Sequence, residues 1–332
     1  MTNVLVIGGS GFIGSHLAER LTAKRYKVRA LARKNSDTRF MQSLGTELYT
    51  GDLLEPDSLT PAFSGIDTVF CLVNVKPTGK SQAEYLNELD LLHTEGTRNL
   101  LAACRLNKIS RLIYLSSVAA IGYKKGVAVY SESSPEEPID AYGRAKLKAE
   151  KILMRDARNS EVKVTILRPP GVFGERGLGS LSKIIGFAEK GIVPVLGSGN
   201  NRQSLVYVGN VVNQSIFAAD SPDSSGKVYI TSDDRPYTVN ELVDAVAGEM
   251  GVRPFKIHIP VWSILFMLSI LNFLAKIFLK KEAVNKESII AIATERIFDG
   301  SGFFRELGYR QEYDLAEGVR RTVKWYKGQK NG

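Results

Sequence analysis

A glycine-rich loop directly after the first apolar run constrains this chain more than any other feature. Val4-Leu5-Val6-Ile7 is a continuous hydrophobic run, as a strand covered on both faces requires. Gly8, Gly11 and Gly14 follow, and the residues from His16 to Lys24 then repeat with helical period. Three glycines so spaced have three tasks. One permits a tight strand-to-helix turn, one lets the backbone approach a bound group, and one allows close helix–sheet packing. The helix behind the loop offers unbonded N–H groups and a partial positive charge to an anion.

The same rhythm continues. Strands are predicted over 27–32, 68–73, 111–115 and 162–167, and helices over 89–106 and 141–155. This alternation predicts an α/β fold, a doubly wound parallel sheet of the Rossmann type. Ligands on such a sheet sit at the carboxyl ends of the strands. The glycines, Asp52, Val73, Ser117 and Pro169 all follow strands. After Pro169-Pro170 the pattern changes to glycine-rich turns and shorter elements. The expected organisation is a dinucleotide-binding domain over 1–170, rejoined by 205–232, and a smaller discontinuous substrate lobe from 171–204 and 233–330. The runs 205–208 and 228–231 are both expected to return to the main sheet.

Bulk properties narrow the function. The chain has 332 residues, 44% hydrophobic and 24% charged, enough for two lobes with a substantial core. Its net charge of +9 is dispersed, with only short clusters such as Lys124-Lys125 and Lys280-Lys281. No basic stripe is interleaved with aromatics, so nucleic acid is not expected and an anionic small molecule is. Cys71 and Cys104 lie in apolar surroundings without metal-ligand spacing. They are expected to be buried thiols of a reducing compartment, with no metal site. A start that runs straight into a strand, with no basic-then-apolar leader, predicts a cytoplasmic location.

Tyr142 and Lys146 stand four apart on a predicted helix and so share a face. A free phenol titrates near pH ~10, and a neighbouring ammonium favours the phenolate. Such a phenol can pass a proton to or from a carbinol oxygen while hydride moves between that carbon and a nicotinamide. Ser117 closes the run Leu112-Ile113-Tyr114-Leu115-Ser116-Ser117 and can hydrogen-bond the substrate oxygen. The second strand ends Ala30-Leu31-Ala32-Arg33-Lys34, with no acid for a ribose 2′-hydroxyl. Arg33 suits a 2′-phosphate, which favours NADP(H); NAD binding with Arg33 as a solvated charge is the other reading. Asp52 fits two roles equally, an acceptor for the adenine amino group or a turn cap.

Taken together, these motifs resemble the extended short-chain dehydrogenase/reductases of the NAD-dependent epimerase/dehydratase family. The resemblance rests on Gly8-Gly9-Ser10-Gly11-Phe12-Ile13-Gly14, Gly51-Asp52-Leu53, Glu95-Gly96-Thr97-Arg98-Asn99-Leu100-Leu101, Ser116-Ser117-Val118-Ala119 and Leu167-Arg168-Pro169. Tyr142 also follows Ser117 by 25 residues, which suits the family. The resemblance implies Ser117, Tyr142 and Lys146 as catalytic residues. It implies an NAD(P) site from Gly8, Gly11, Phe12, Ile13, Gly14, Arg33, Asp52, Leu53, Val73, Lys146 and Pro169. The segment from Gly197 to Asn210 is similar to nucleotide-sugar epimerases and dehydratases, in which the arginine, here Arg202, helps hold the nucleotide diphosphate. Ser117, Tyr142 and Arg202 are then the substrate contacts, and a homodimer through a helix bundle is implied.

Some residues depart from the family. His93 stands where Asn is usual, Gly209 where many sugar enzymes carry Asp, and no Asp-Glu pair flanks Ser117 or Tyr142. The last departure favours epimerisation or simple redox over dehydration. The stretch 259–279, beginning at Ile259 and ending at Leu279, is almost wholly apolar, with Ser269, Asn272 and Lys276 on one stripe. A buried helix, a partner surface and peripheral membrane contact all fit it. It also resembles the C-terminal region of 3β-hydroxysteroid dehydrogenase-like members.

The leading expectation is an NAD(P)-dependent epimerase or reductase acting on a secondary alcohol or ketone carbon of a nucleotide sugar, UDP- or dTDP-linked. The alternative is an NADP-dependent dehydrogenase of a steroid-like or isoprenoid alcohol. A non-catalytic NAD(P)-binding assembly or sensor protein is the third reading, and the intact Tyr142/Lys146 pair speaks against it.

Overall fold

The computed structural model describes residues 2–75, 79–124, 126–127, 129–158, 160–177, 179–279 and 293–330, with backbone alone at Ser180 and 273–279. Lys125, Lys280, Lys281 and the side chain of Lys276 lie outside the described residues.

Seven parallel strands form the central sheet: β1 (Asn3–Ile7), β2 (Lys27–Ala32), β3 (Glu47–Thr50), β4 (Thr68–Cys71), β5 (Arg111–Leu115), β6 (Lys163–Arg168) and β7 (Lys227–Ile230). Their spatial order is β7-β6-β5-β4-β1-β2-β3. The order reverses beside β1, which places a ligand crevice at the end of that strand. Alternation within β1 explains its unbroken hydrophobicity. Val4 and Val6 pack with Leu17 and Leu21 of α1 (Phe12–Ala23), while Leu5 and Ile7 join the opposite core layer. That second layer takes Leu100 and Cys104 from α2 (Gln82–Leu106) and Ala149 and Leu153 from α3 (Ala141–Ala157). The doubly wound α/β expectation therefore holds. Cys71 and Cys104 are both buried free thiols.

The smaller lobe packs α4 (Ser182–Glu189), α6 (Val239–Met250) and α8 (Leu315–Lys330) around Phe173, Ile185, Val243 and Val319. Between α4 and α6 in sequence, α5 (Val208–Asp220) returns to the α1 face of the main sheet through Val211, Val212 and Ile216. One expectation needs correction. Leu205–Tyr207 does not join the main sheet but pairs in parallel with Gly171–Phe173. The sheet edge is already taken, since β7 pairs with β6 from Lys227↔Thr165 to Ile230↔Arg168.

The apolar stretch also divides. Ile259 ends the strand Phe255–Ile259, Pro260 breaks it, and α7 (Val261–Leu279) follows. Among the described residues no helix is long and apolar enough to cross a membrane.

Candidate active site

Gly8 leaves β1 at φ +88°, a left-handed conformation that a side chain would strain. A Cβ on Gly8 would lie 2.9 Å from the Leu72 carbonyl oxygen, and one on Gly14 only 2.1 Å from that of Gly8. The loop is thus pressed against both the chain leaving β4 and the first turn of α1. That first turn carries neither a side-chain cap nor an acid. Its open N–H groups and partial positive charge suit a pyrophosphate.

The loop borders a cleft of about 590 Å³ that also takes in Arg33, residues 51–54 and residues 72–74. Gly8, Gly11, Phe12, Ile13, Gly14, Arg33, Asp52, Leu53 and Val73 all line it. Pro169 does not; it is buried, and its carbonyl accepts from the Val118 N–H at 3.1 Å. Asp52 serves as a turn cap, its Oδ1 accepting from the Leu54 N–H at 2.9 Å, while its other oxygen has no partner among the described residues. Lys80 and Glu88 are among the cleft residues that were not read from the sequence. Glu88 of α2 accepts from Arg33 at 3.3 Å and also pairs with Lys80. Their signal was position: Lys80 lies just before α2 and Glu88 in its second turn, after β4 at the carboxyl edge where ligands sit.

Local capping places the proposed catalytic groups. The Asp140 carboxylate accepts from the Gly143 N–H at 2.7 Å and fixes the start of α3, so Tyr142 lies in its first turn. Gly143 packs so tightly that a Cβ there would lie 2.2 Å from the Ala119 carbonyl oxygen. This contact holds the Val118–Ala120 turn against α3, and Ser117, which caps that turn, comes near enough to act on the Tyr142 phenol. One turn further, Lys146 is buried; its Nζ donates to the carbonyls of Val73 at 3.0 Å and Leu115 at 3.1 Å. The ammonium also lies 5.1 Å from the Tyr114 ring centroid and 5.9 Å from that of Tyr142.

The electrostatics differ from the sequence argument in one respect. Burial pushes the Tyr142 phenol up to about 12, with nearby Ser117 opposing and Asp140 and Tyr85 adding to the rise. Burial likewise pulls Lys146 down to about 8. Desolvation is the largest cause at both groups, Lys146 is not among the causes acting on the phenol, and the free site holds a protonated phenol. Below it lies a charged network. Ser116 donates to Glu150, and Arg168, which is fully buried, donates Nε to Glu150 at 3.0 Å and pairs with Glu136.

A family model described as the NAD dependent epimerase/dehydratase family matches residues 4–231. The chain belongs to this family. It is 29% identical over 330 residues to the N-acetyl-alpha-D-glucosaminyl-diphospho-ditrans,octacis-undecaprenol 4-epimerase of Escherichia coli O157:H7, covering 97% of this chain and 95% of that protein. It is 28% identical over 334 residues to the decarboxylating sterol-4-alpha-carboxylate 3-dehydrogenase of Mus musculus, covering 96% and 89%. The fold is similar to the solved UDP-glucose 4-epimerase of Thermotoga maritima with UDP-glucose, at a TM-score of 0.76 and 22% identity over 99% of each chain.

The departures now have physical contexts. His93 is fully buried, with Nδ1 2.9 Å from the Tyr114 hydroxyl and Nε2 unpartnered among the described residues. Burial and the nearby Lys146 push it down to about 2, so the ring is neutral. At Gly209 a Cβ would meet the Tyr207 ring at 2.5 Å, which leaves no room for an aspartate. Arg202 is exposed, does not line the dinucleotide cleft, and donates to Glu295 at 2.7 Å.

Proposed function

We propose that this member of the family is an NAD(P)-dependent oxidoreductase or epimerase of a secondary alcohol or ketone carbon, most simply in a nucleotide sugar. The grouping of Ser117 with the Tyr142 phenol, beside Lys146 and next to the cleft that the glycine loop borders, carries this reading. A bound nicotinamide supplies or accepts the hydride. Ser117 orients the substrate oxygen by hydrogen bonding. Tyr142 gives its proton to a ketone oxygen, or takes one from the alcohol in the reverse direction. The protonated phenol of the free site favours meeting a ketone as a donor. Lys146 does not line the cleft itself but bonds the carbonyls of its lining residues Val73 and Leu115, and from there would hold a ribose hydroxyl.

NADP(H) is the proposed form. Arg33 and Lys80 face a single acid, Glu88, so one positive charge remains in excess beyond the end of β2. The named relatives support a carbinol or ketone carbon on either a sugar diphosphate or a sterol. The pairing of Arg202 with Glu295 favours the second, hydrophobic-alcohol reading, because that guanidinium is already engaged. A homodimer through a helix bundle is part of the same proposal, and Leu86 and Leu91 of α2 are exposed.

The test is a panel of UDP- and dTDP-sugars with NAD(P), followed by NMR for new isomers and by absorbance for net redox. The expected result is sugar turnover that Tyr142→Phe lowers by about 10²-fold or more, with dinucleotide binding retained. Untouched sugars together with NADP-linked turnover of a steroid or isoprenoid alcohol would transfer the assignment to the second reading.

A further inference from the structure

The small lobe carries an apolar surface that the proposed reaction does not use. The strands Ile192–Leu196 and Phe255–Ile259 pair in parallel, setting Phe255 opposite Ile192, Ile257 opposite Pro194 and Ile259 opposite Leu196. Alternate residues of a strand point to opposite faces. Val193 and Val195 are buried in the lobe core, so the three opposed pairs make the other face, and every member of it is apolar. That face is open to solvent: Phe255 is 71% exposed and Ile192 47%.

The chain continues from this ribbon through Pro260 directly into α7. Trp262, Phe266 and Ile270 are spaced four apart, with Met267 and Leu271 beside them on the same side, and all five are exposed. Leu268, on the other side, is buried, and Asn272 is half-buried. Large apolar side chains therefore dominate the exposed side, with Ser269 among them, unlike an ordinary surface helix. Large contiguous patches of this kind are rare on a free protein and mark an interaction surface.

Cations border the patch. Lys190 and Arg253 each precede their strand by two residues, so the parallel pairing sets both at one end of the ribbon. Both are exposed, and neither has an ion-pair partner among the described residues. Two acids of the lobe are already taken, Asp244 by Lys256 and Glu189 by Lys330.

We infer that this patch docks the protein on an anionic lipid bilayer. Trp262, Phe266 and Met267 enter the boundary between headgroups and acyl chains, and Lys190 and Arg253 meet lipid phosphates. A bilayer surface supplies an apolar layer and a plane of anions together, and tryptophan is favoured at that boundary. A second copy of the chain would match the apolar centre but would bring the same unpaired cations to the rim. The docking is independent of which substrate the active site takes.

The experiment needs no substrate. The full chain carrying Trp325→Phe, which leaves Trp262 as the sole tryptophan, is mixed with vesicles of phosphatidylcholine, with or without about one third phosphatidylglycerol. The expected result is co-sedimentation with the anionic vesicles, weakened by salt, and a blue shift of the Trp262 emission. Lys190→Glu with Arg253→Glu should weaken binding by about tenfold or more. Phe266→Ser with Met267→Ser should abolish it, while thermal unfolding stays that of the parent because both side chains are exposed. Failure of the parent chain to bind anionic vesicles overturns the inference. So does a concentration-dependent dimer in light scattering that Phe266→Ser dissolves while vesicles bind nothing; that outcome assigns the patch to a second copy.

Discussion

The Nζ of Lys146 donates to the carbonyl oxygen of Val73 across 3.0 Å, and no hydrogen bond joins it to the Tyr142 hydroxyl among the described residues. With the second bond to Leu115, the ammonium links the chain leaving β4 to the end of β5. The acidity of Tyr142 follows from its burial and from Ser117.

This buried cation makes stability depend on pH. Lys146 is pulled down to about 8 in the fold and titrates near ~10.4 in an unfolded chain. Between these values the unfolded chain binds more protons, so the Lys146 contribution rises with pH and is lost as pH falls through about 8. Denaturant unfolding of wild type and Lys146→Met from neutral to alkaline pH should therefore show the wild type gaining on the variant above pH 8, then levelling beyond ~10.4. A difference that does not change with pH would mean that Lys146 titrates normally.

Glu150 should matter for stability more than its distance from the cleft implies. It accepts from Ser116 and from the buried Arg168, whose second acid, Glu136, is partly exposed. Glu150→Gln leaves the guanidinium buried with a weaker partner and should cost about 3 kcal/mol in urea unfolding. The double variant Glu150→Met/Arg168→Met should recover much of that loss, because it leaves no unpaired charge. Strict additivity of the two single losses would contradict the pairing.

Much of the site was readable because its signals are local. The runs 27–32 and 111–115 became β2 and β5 with unchanged bounds, and the loop from Gly8 to Gly14 needs only strand, glycine and helix in succession. The spacing of Tyr142 and Lys146 is a property of one helix. What was not readable depends on distant contacts. A three-residue run such as Leu205–Tyr207 says nothing of its partner, and Gly171–Phe173 claims it. The apolar run around Pro260 gives no sign that it holds a strand and then a helix, nor which side of α7 is covered. Glu88 and Glu295 meet Arg33 and Arg202 across 55 and 93 residues. The rise of the Tyr142 phenol is a burial effect, which spacing cannot report.

Cofactor choice should turn on the cluster of Arg33, Lys80 and Glu88. Arg33→Ala should weaken NADP(H) binding by about tenfold in calorimetry and leave NAD(H) nearly unchanged, since only the former carries the extra phosphate. Glu88→Gln should act in the opposite direction, because it removes the acid that both cations face. Equal effects of Arg33→Ala on the two cofactors would show that Arg33 does not read the 2′ position.

Two glycines should respond to the same substitution with opposite sign. Gly186 lies within α4 with nothing within 4 Å of the position a Cβ would take. Gly186→Ala should therefore stabilise the fold by up to about 1 kcal/mol, since alanine restricts the unfolded chain and favours helix. At Gly14 the added carbon would meet the Gly8 carbonyl oxygen at 2.1 Å, and backbone cannot yield as a side chain tip can. Gly14→Ala must push α1 away from the loop, so its N–H groups lose their aim at the cleft. Dinucleotide binding should fall by about 10²-fold or more while the lobe around α4 stays folded, as hydrogen exchange can show. Unimpaired binding by Gly14→Ala would mean that the phosphates are held elsewhere than at this helix end.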